Sequence, residues 1–159
     1  MQPSDVHGLL VSERHFCFAT SVTRHLVPPS PARVSQYTMS NLDVSKNALE
    51  KHALTTLTPT AAIDDVFSTD HFDAEKPISG GIFHVTPGDE LLTYTYKYHE
   101  LKYIISGTII LEEKNTGEKI VGEAGDVISI KAGSTITFSS PTPEGGKAFY
   151  VGQRKLRDF

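Results

Sequence analysis

Hydrophobic and polar positions alternate in short runs from residue 80 onward, and turn-forming residues separate the runs. Because successive side chains of a strand point to opposite faces, each run predicts a half-buried strand. The eight predicted strands cover residues 81–86, 91–98, 102–106, 108–113, 119–121, 127–130, 135–139 and 148–153. The intervening turns contain Gly88, Gly107, Gly117, Gly125, Gly133 and Gly145. Eight short antiparallel strands at this spacing are typical of a jelly roll whose two sheets enclose a cavity.

The first part of the chain shows no sustained period of either kind. We expect residues 1–55 to form an irregular arm and residues 56–159 to form the barrel domain. A short helix is predicted within residues 45–54, where alanine, leucine, glutamate and lysine are acceptable helix formers. The arm is predicted either to be disordered or to pack on a partner subunit, because full exposure of its apolar side chains would be unfavourable. Its arginines resemble those of a transit peptide, but we favour an extension that precedes an alternative start at Met39.

The composition narrows the classes of function. The 159 residues are enough for about one domain, and 38% hydrophobic with 21% charged residues is ordinary for a globular protein. No apolar stretch approaches the roughly 20 residues of a membrane-spanning helix. The 15 lysines and arginines are scattered in a chain of net charge −4, so neither a membrane nor a nucleic acid is an expected partner. Cys17 is the only cysteine and cannot form an intramolecular disulfide, and we expect a soluble, cytoplasmic protein.

Two segments of the barrel region carry family motifs. The segment from Glu100 to Gly107 has the Glu-x6-Gly ending of the first cupin motif. Residues 125–133 have the Gly-x5-Pro-x-Gly shape of the second, with Lys131 in place of the proline. Similarity to EutQ-like (ethanolamine utilisation protein type) RmlC-like cupins, fungal ones in particular, extends over residues 94–102, 133–138 and 148–154. The chain therefore resembles a cupin over residues 78–154, which implies an all-β fold with a single jelly-roll barrel.

The resemblance also indicates what this chain lacks. Metal-binding cupins hold the ion with three histidines and one glutamate, and here only Glu100 matches that set. The resemblance places the histidine positions at Tyr94, Tyr96 and Ile136. Phenols are neutral at pH 7 and isoleucine has no donor atom, whereas a first-row cation needs three or four good ligands. We therefore expect no metal, no cofactor and no metal-dependent dioxygenase chemistry.

The groups that remain predict a polar cluster inside the barrel. If Glu100 points inward then Lys102 does too, and the tyrosines of the preceding strand share that inward face. We expect the catalytic residues to be Glu100, Lys102 and Tyr96. The expected substrate-binding residues are Tyr94, Tyr98, His84, Ile136 and Phe138. The alternative is that Glu100 and Lys102 form a satisfied buried pair while the tyrosines only fill the barrel.

Two further residues and one acidic segment are interpreted without a role in the site. Arg154 could clamp a substrate carboxylate, but a surface ion pair is the simpler expectation. The acidic stretch 64–73 has no calcium-loop spacing, so we interpret it as solvated surface. His99 precedes Glu100 and should point away from the cavity or lie in a turn.

Three functions remain open at this stage. The first is a metal-independent enzyme that transfers protons on a small carboxylate or carbonyl compound, including a secondary metabolite, as an isomerase, lyase, decarboxylase or cyclase. The second is a non-catalytic cupin that binds a small molecule or serves assembly. The third is implied only by the EutQ resemblance: a link to ethanolamine utilisation and an acetate kinase-like activity. The cupin resemblance also implies a homodimer formed through sheet faces.

Overall fold

Nine strands and one short helix make up residues 42–159, which are the residues that the computed structural model describes. The helix α1 covers Ala48–Lys51, and the strands are β1 (Thr55–Thr58), β2 (Ala61–Ser68), β3 (Ser79–Val85), β4 (Leu92–Thr95), β5 (Glu100–Glu113), β6 (Lys119–Glu123), β7 (Val127–Ile130), β8 (Thr135–Ser139) and β9 (Gly146–Gly152). Every strand pairing is antiparallel. No helix in this part of the chain is long and apolar enough to cross a membrane. The arm residues 1–41 lie outside the described residues.

The long strand β5 joins the two sheets of the barrel. Its first half pairs with β7 and β9, and its second half pairs with β6 and β8. The remaining strands follow the order β1-β2-β3-β9 on one side and β8-β4 on the other. Gly107 lies at the change of partner with φ 67°, and a Cβ there would collide with the carbonyl of Gly145. The turn predicted at this glycine is therefore a bend within one strand, and two predicted strands are one.

The sequence located the later strands better than the earlier ones. Strands β7 and β8 have the predicted bounds, and β3, β6 and β9 differ from prediction by at most two residues at either end. β4 and α1 are shorter than predicted, with four residues each. β1 and β2 were not predicted, and residues 64–68 of β2 belong to the acidic segment interpreted as solvated surface. That interpretation is wrong for Asp64 and Asp65, which are 4% and 3% exposed.

The core lies between the two sheets and is mostly aliphatic and aromatic. Its fully buried side chains include Phe83, Val85, Ile104, Ile109, Phe138, Ala148 and Tyr150. Burying a large apolar side chain contributes roughly 1.5–3 kcal/mol, so this set stabilises the barrel strongly. Glu100 and Lys102 are just as deeply buried, at 2% and 1% exposed. Charged groups in such a position need partners, because burial without them is costly.

Candidate functional site

Glu100, Lys102 and Tyr96 come together inside the barrel. β5 begins at Glu100, so the alternation of the strand turns both Glu100 and Lys102 inward. The Nζ atom of Lys102 lies 2.9 Å from Oε1 of Glu100. The Tyr96 hydroxyl donates a hydrogen bond to the same Oε1 at 3.0 Å. The three residues expected from the sequence to be catalytic therefore form one contiguous polar cluster.

Only one of the two oxygens of the Glu100 carboxylate has polar contacts with residues 42–159. Within the part of the chain that the structure describes, both of its polar contacts end on Oε1, and Oε2 accepts no hydrogen bond. Gly152 faces Oε2, and a Cβ at that position would lie 3.3 Å from this oxygen and 2.9 Å from Cε2 of Tyr98. A carboxylate can accept about four hydrogen bonds, so part of its capacity stays open on this side. Oε2 is thus the oxygen of this carboxylate with unused hydrogen-bonding capacity.

The Lys102 ammonium is surrounded by aromatic rings. Its Nζ lies 4.2 Å from the ring centre of Phe83, 5.0 Å from that of Tyr150 and 5.6 Å from that of Phe138. Cations are attracted to the faces of aromatic rings, most strongly where water is excluded. The rings and the Glu100 carboxylate together stabilise a charge that would otherwise be costly to bury.

Tyr96 of this cluster packs with two further tyrosines, Tyr94 and Tyr98. The rings of Tyr94 and Tyr96 are 5.0 Å apart, those of Tyr96 and Tyr98 are 5.6 Å apart, and those of Tyr94 and Tyr98 are 6.4 Å apart. Burial, with the neighbouring Glu100 charge, raises the pKa of Tyr96 and of Tyr98 well above the usual range. These phenols therefore stay protonated and serve as hydrogen-bond donors rather than as bases.

The space beside the cluster is small. The cavity has a volume of about 20 Å³, which is room for about one water molecule. Its lining consists of Leu57, Ile63, Phe83, Leu92, Tyr94, Tyr96, Tyr98, Glu100, Lys102, Phe138 and Phe159. Phe138, expected to bind substrate, is thus in place. Phe159 was not anticipated from the sequence.

Two residues expected to bind substrate do not line this cavity. His84 is on the opposite face of β3 from Phe83, and its Nε2 lies 3.5 Å from the carbonyl oxygen of Glu144. Ile136 is buried, but it lines a separate cavity of about 230 Å³ beside β6, β7 and β8. His99 points away from the cavity, and its Nδ1 accepts a hydrogen bond from the Ala132 N–H at 3.3 Å.

A second buried ion pair joins Arg154 to Asp65, and the expectation of a surface ion pair for Arg154 is wrong. Arg154 is 3% exposed, and its Nη1 and Nη2 donate to Oδ2 and Oδ1 of Asp65, each at 2.8 Å. The Tyr150 hydroxyl also donates to Oδ1 at 2.7 Å, and the backbone N–H of Arg157 donates to Oδ2 at 2.6 Å. Burial raises the pKa of Asp65, but these hydrogen bonds outweigh burial, so the pKa is lowered.

The residues after β9 are attached to β2 by these and neighbouring contacts. The Arg157 Nε donates to Oδ1 of Asp64 at 3.0 Å, and the backbone N–H of Leu156 donates to Oδ2 of Asp70 at 3.1 Å. The guanidinium carbon of Arg154 lies 5.0 Å from the ring centre of Phe159. A signal for β2 was present in the sequence, because apolar residues flank the two aspartates on both sides. The contacts that residues 153–159, the tail, make with β2 had no such signal in the sequence.

The donor atoms around Glu100 do not fit the metal that the cupin resemblance implies. Among residues 42–159, no three His, Cys, Asp or Glu side chains come together in a group that could hold a metal ion. At Glu100 the neighbours are an ammonium and neutral phenols. An ammonium has no lone pair to donate and repels a second cation at this distance. The cation that this carboxylate holds is Lys102.

Comparison with known proteins identifies relatives of the chain. The family model described as "Ethanolamine utilisation protein EutQ" matches residues 34–153. The Clostridium difficile EutQ structure is 24% identical and covers 62% of this chain and 70% of its own, with a TM-score of 0.49. A Rhizobium leguminosarum protein of unknown function is 21% identical over 72% of this chain and 97% of its own, with a TM-score of 0.53. No curated protein matches the sequence.

A eukaryotic structure supports the same architecture. The cupin domain of Schizosaccharomyces pombe Cnp3 is 12% identical, covers 67% of this chain and 72% of its own, and has a TM-score of 0.53. Identity this low carries information on the fold alone. The predicted all-β, cupin-type jelly roll is confirmed.

Proposed function

The chain belongs to the EutQ family of cupins, and we propose that it is a metal-independent enzyme that transfers a proton on a small carboxylate or carbonyl compound. The reaction class is that of an isomerase, lyase, decarboxylase or cyclase. Glu100 is the acid and base of this proposal, and Tyr94, Tyr96 and Tyr98 orient the substrate and donate hydrogen bonds to it. The family membership supplies the barrel, and the residues inside the barrel supply the argument for chemistry.

The observation that carries the proposal is the open oxygen of Glu100. Lys102 and Tyr96 hold Oε1, which leaves Oε2 without a partner among the described residues. In the proposed step, Oε2 takes a proton from the carbon next to a carbonyl group. The C–H electron pair then forms a carbon–carbon double bond, and the π electrons of the carbonyl group move to its oxygen, which gives an enolate. A tyrosine hydroxyl stabilises that oxygen, and the proton returns to carbon to complete the turnover.

Lys102 has a positioning role in this scheme. Its ammonium fixes Oε1 at 2.9 Å and keeps the site neutral overall before substrate binds. The aromatic rings around Nζ exclude water, which strengthens electrostatic interactions at the carboxylate. A fixed, dehydrated carboxylate with one free oxygen suits proton transfer better than a solvated side chain does.

The second candidate is a cupin that binds a small molecule without changing it. The cavity size applies equally to both candidates, because about 20 Å³ is far below the roughly 300 Å³ of a typical ligand site. Either function therefore requires part of the lining to move when a ligand enters.

Deuterium exchange distinguishes the two candidates. The protein is incubated in D2O with a panel of small carboxylic acids, ketones and aldehydes, and mass spectrometry detects deuterium bound to carbon. We expect exchange in at least one compound, with about a 10²- to 10⁴-fold loss of rate in Glu100→Gln. The matched control is Glu112→Gln, because Glu112 forms a 3.2 Å ion pair with Lys114 on the surface. Compounds that raise the melting temperature but return without deuterium would support binding alone.

We also propose that the chain forms a homodimer through the outer face of the sheet that contains β7, β5 and β9. Val127, Tyr103 and Phe149 are neighbours there and are 71%, 48% and 41% exposed. Aromatic and other uncharged residues are enriched at the centre of protein interfaces. A two-fold axis can place these three residues against the same three residues of a second copy. Light scattering should give a dimer for the wild type and a monomer for Tyr103→Glu. A monomeric wild type would contradict this proposal.

A further inference from the structure

Phe159 lines the small cavity beside Glu100. The side chain is partly buried and packs against the core, where it lines the cavity together with Leu57, Tyr94 and Tyr98. It comes from the residues after the last strand, so no sheet hydrogen bond holds it in place. The ring is therefore a component of the lining that lies outside the sheets.

Contacts with three aspartates bring Phe159 to this position. Asp65 binds Arg154 and the backbone N–H of Arg157, while Asp64 binds the Arg157 side chain and Asp70 binds the N–H of Leu156. Arg157 has φ 56°, a left-handed conformation that is unfavourable for a residue other than glycine. The aspartate contacts compensate for this conformation, which turns the chain toward the cavity. Phe159 follows two residues later.

The lining has an apolar part and a polar part. Its apolar side chains are Leu57, Ile63, Phe83, Leu92, Phe138 and Phe159. Its polar groups are Glu100, Lys102 and Tyr96, which contact one another, and the hydroxyls of Tyr94 and Tyr98. A cavity of about 150 Å³ can bind benzene, so removal of one phenyl ring from this lining leaves space for a ligand with a single ring.

We propose that Phe159 is the specificity-determining residue of this site and that its ring occupies the place of the substrate's ring. The substrate class is then a small, flat, unsaturated ring that bears a hydroxyl or carbonyl oxygen. The ring packs against Tyr94 and Tyr98 in the place of the Phe159 ring, and the oxygen points toward Glu100. This inference rests on the proposed function for the role of Glu100. Phe159 competes with the ligand, so the site binds only after the ring is displaced.

The inference is tested by measuring the binding of phenol and of cyclohexanol, which have similar size and the same hydroxyl but differ in flatness. Titration calorimetry on the full chain compares the wild type with Phe159→Ala. We expect phenol to bind Phe159→Ala about tenfold more tightly, because the competing ring is gone, and cyclohexanol to gain less than about threefold. The control is Phe72→Ala, which removes an exposed aromatic ring from the connection between β2 and β3.

Every outcome of this experiment decides the inference. If Phe159→Ala binds phenol no better than the wild type does, Phe159 is an ordinary core residue and the inference is overturned. An equal gain for cyclohexanol would overturn the substrate class. If Phe159→Ala does not fold, Phe159→Leu replaces it and must show an intermediate gain for phenol.

The proposed function can fail separately. A gain in phenol affinity with no deuterium exchange in any compound supports the role of Phe159 and removes the enzymatic proposal. Deuterium exchange in the wild type with no gain in phenol affinity for Phe159→Ala would support the enzymatic proposal and overturn the role of Phe159.

Discussion

The barrel contains two buried carboxylate–cation pairs, and they differ in how completely the carboxylate is bound. Asp65 accepts four hydrogen bonds, two on each oxygen, from Arg154, Tyr150 and the Arg157 backbone. Glu100 has two polar contacts, and both are on Oε1. Burial is similar at the two sites. A carboxylate with hydrogen bonds on both oxygens fixes structure. A carboxylate with one oxygen that accepts no hydrogen bond can still exchange a proton or bind a ligand.

The two cations match these roles. The planar guanidinium of Arg154 binds both oxygens of Asp65 and so fixes the geometry of the pair. The ammonium of Lys102 is a compact charge that holds one oxygen of Glu100. We therefore interpret the Asp65 pair as the attachment of the tail to β2 and the Glu100 pair as the reactive centre.

The largest expected effect is the loss of stability in Asp65→Ala. The change leaves Arg154 buried without its partner and removes acceptors from Tyr150 and Arg157, which should cost about 3–5 kcal/mol in the free energy of unfolding. Urea denaturation measures this cost. Asp89→Ala, at an exposed position, should change stability by less than about 0.5 kcal/mol. A loss below about 1 kcal/mol in Asp65→Ala would mean that the pair does not hold the fold together.

A smaller effect is expected from acid. The pKa of Asp65 is lower in the folded chain than in the unfolded chain, so the folded state favours the charged form. The resulting stability is fully present above the unfolded pKa of about 4 and is lost as the pH falls through the folded pKa. Asp65→Asn should therefore lose less stability than the wild type does between pH 5 and pH 3.

The acid comparison has an internal control. Hydrogen bonds from the backbone N–H groups of Leu156 and Thr135 lower the pKa of Asp70 and of Glu113, respectively. Both groups remain in Asp65→Asn, so the difference between the two proteins isolates Asp65. Parallel stability curves would contradict the assignment.

The smallest expected effect comes from replacing the Glu100 pair as a whole. Replacement of a buried ion pair by apolar residues of similar volume is often neutral or stabilising, because the cost of dehydrating both charges disappears. Glu100→Leu combined with Lys102→Met should change the free energy of unfolding by no more than about 1 kcal/mol while abolishing deuterium exchange. A loss comparable to that of Asp65→Ala would make both pairs structural and would remove the distinction between them.

The sequence predicted the parts of the molecule that local pattern controls. β7 and β8 alternate cleanly between turn glycines, and the inward direction of Lys102 follows from that of Glu100 by strand alternation. β2 was missed because two buried aspartates interrupt its apolar pattern, and their partner Arg154 lies 89 residues away from Asp65. Tertiary contacts alone determine the position of Phe159, and therefore no periodicity could have predicted it.

The metal content of the purified protein tests most directly whether Lys102 is the cation at Glu100. The wild type and Glu100→Gln are incubated with zinc, iron, manganese and nickel salts and passed through gel filtration. Their metal content is then measured by inductively coupled plasma mass spectrometry. We predict far less than one ion per chain for both proteins, with no difference between them. About one ion per chain in the wild type that is absent from Glu100→Gln would contradict the account.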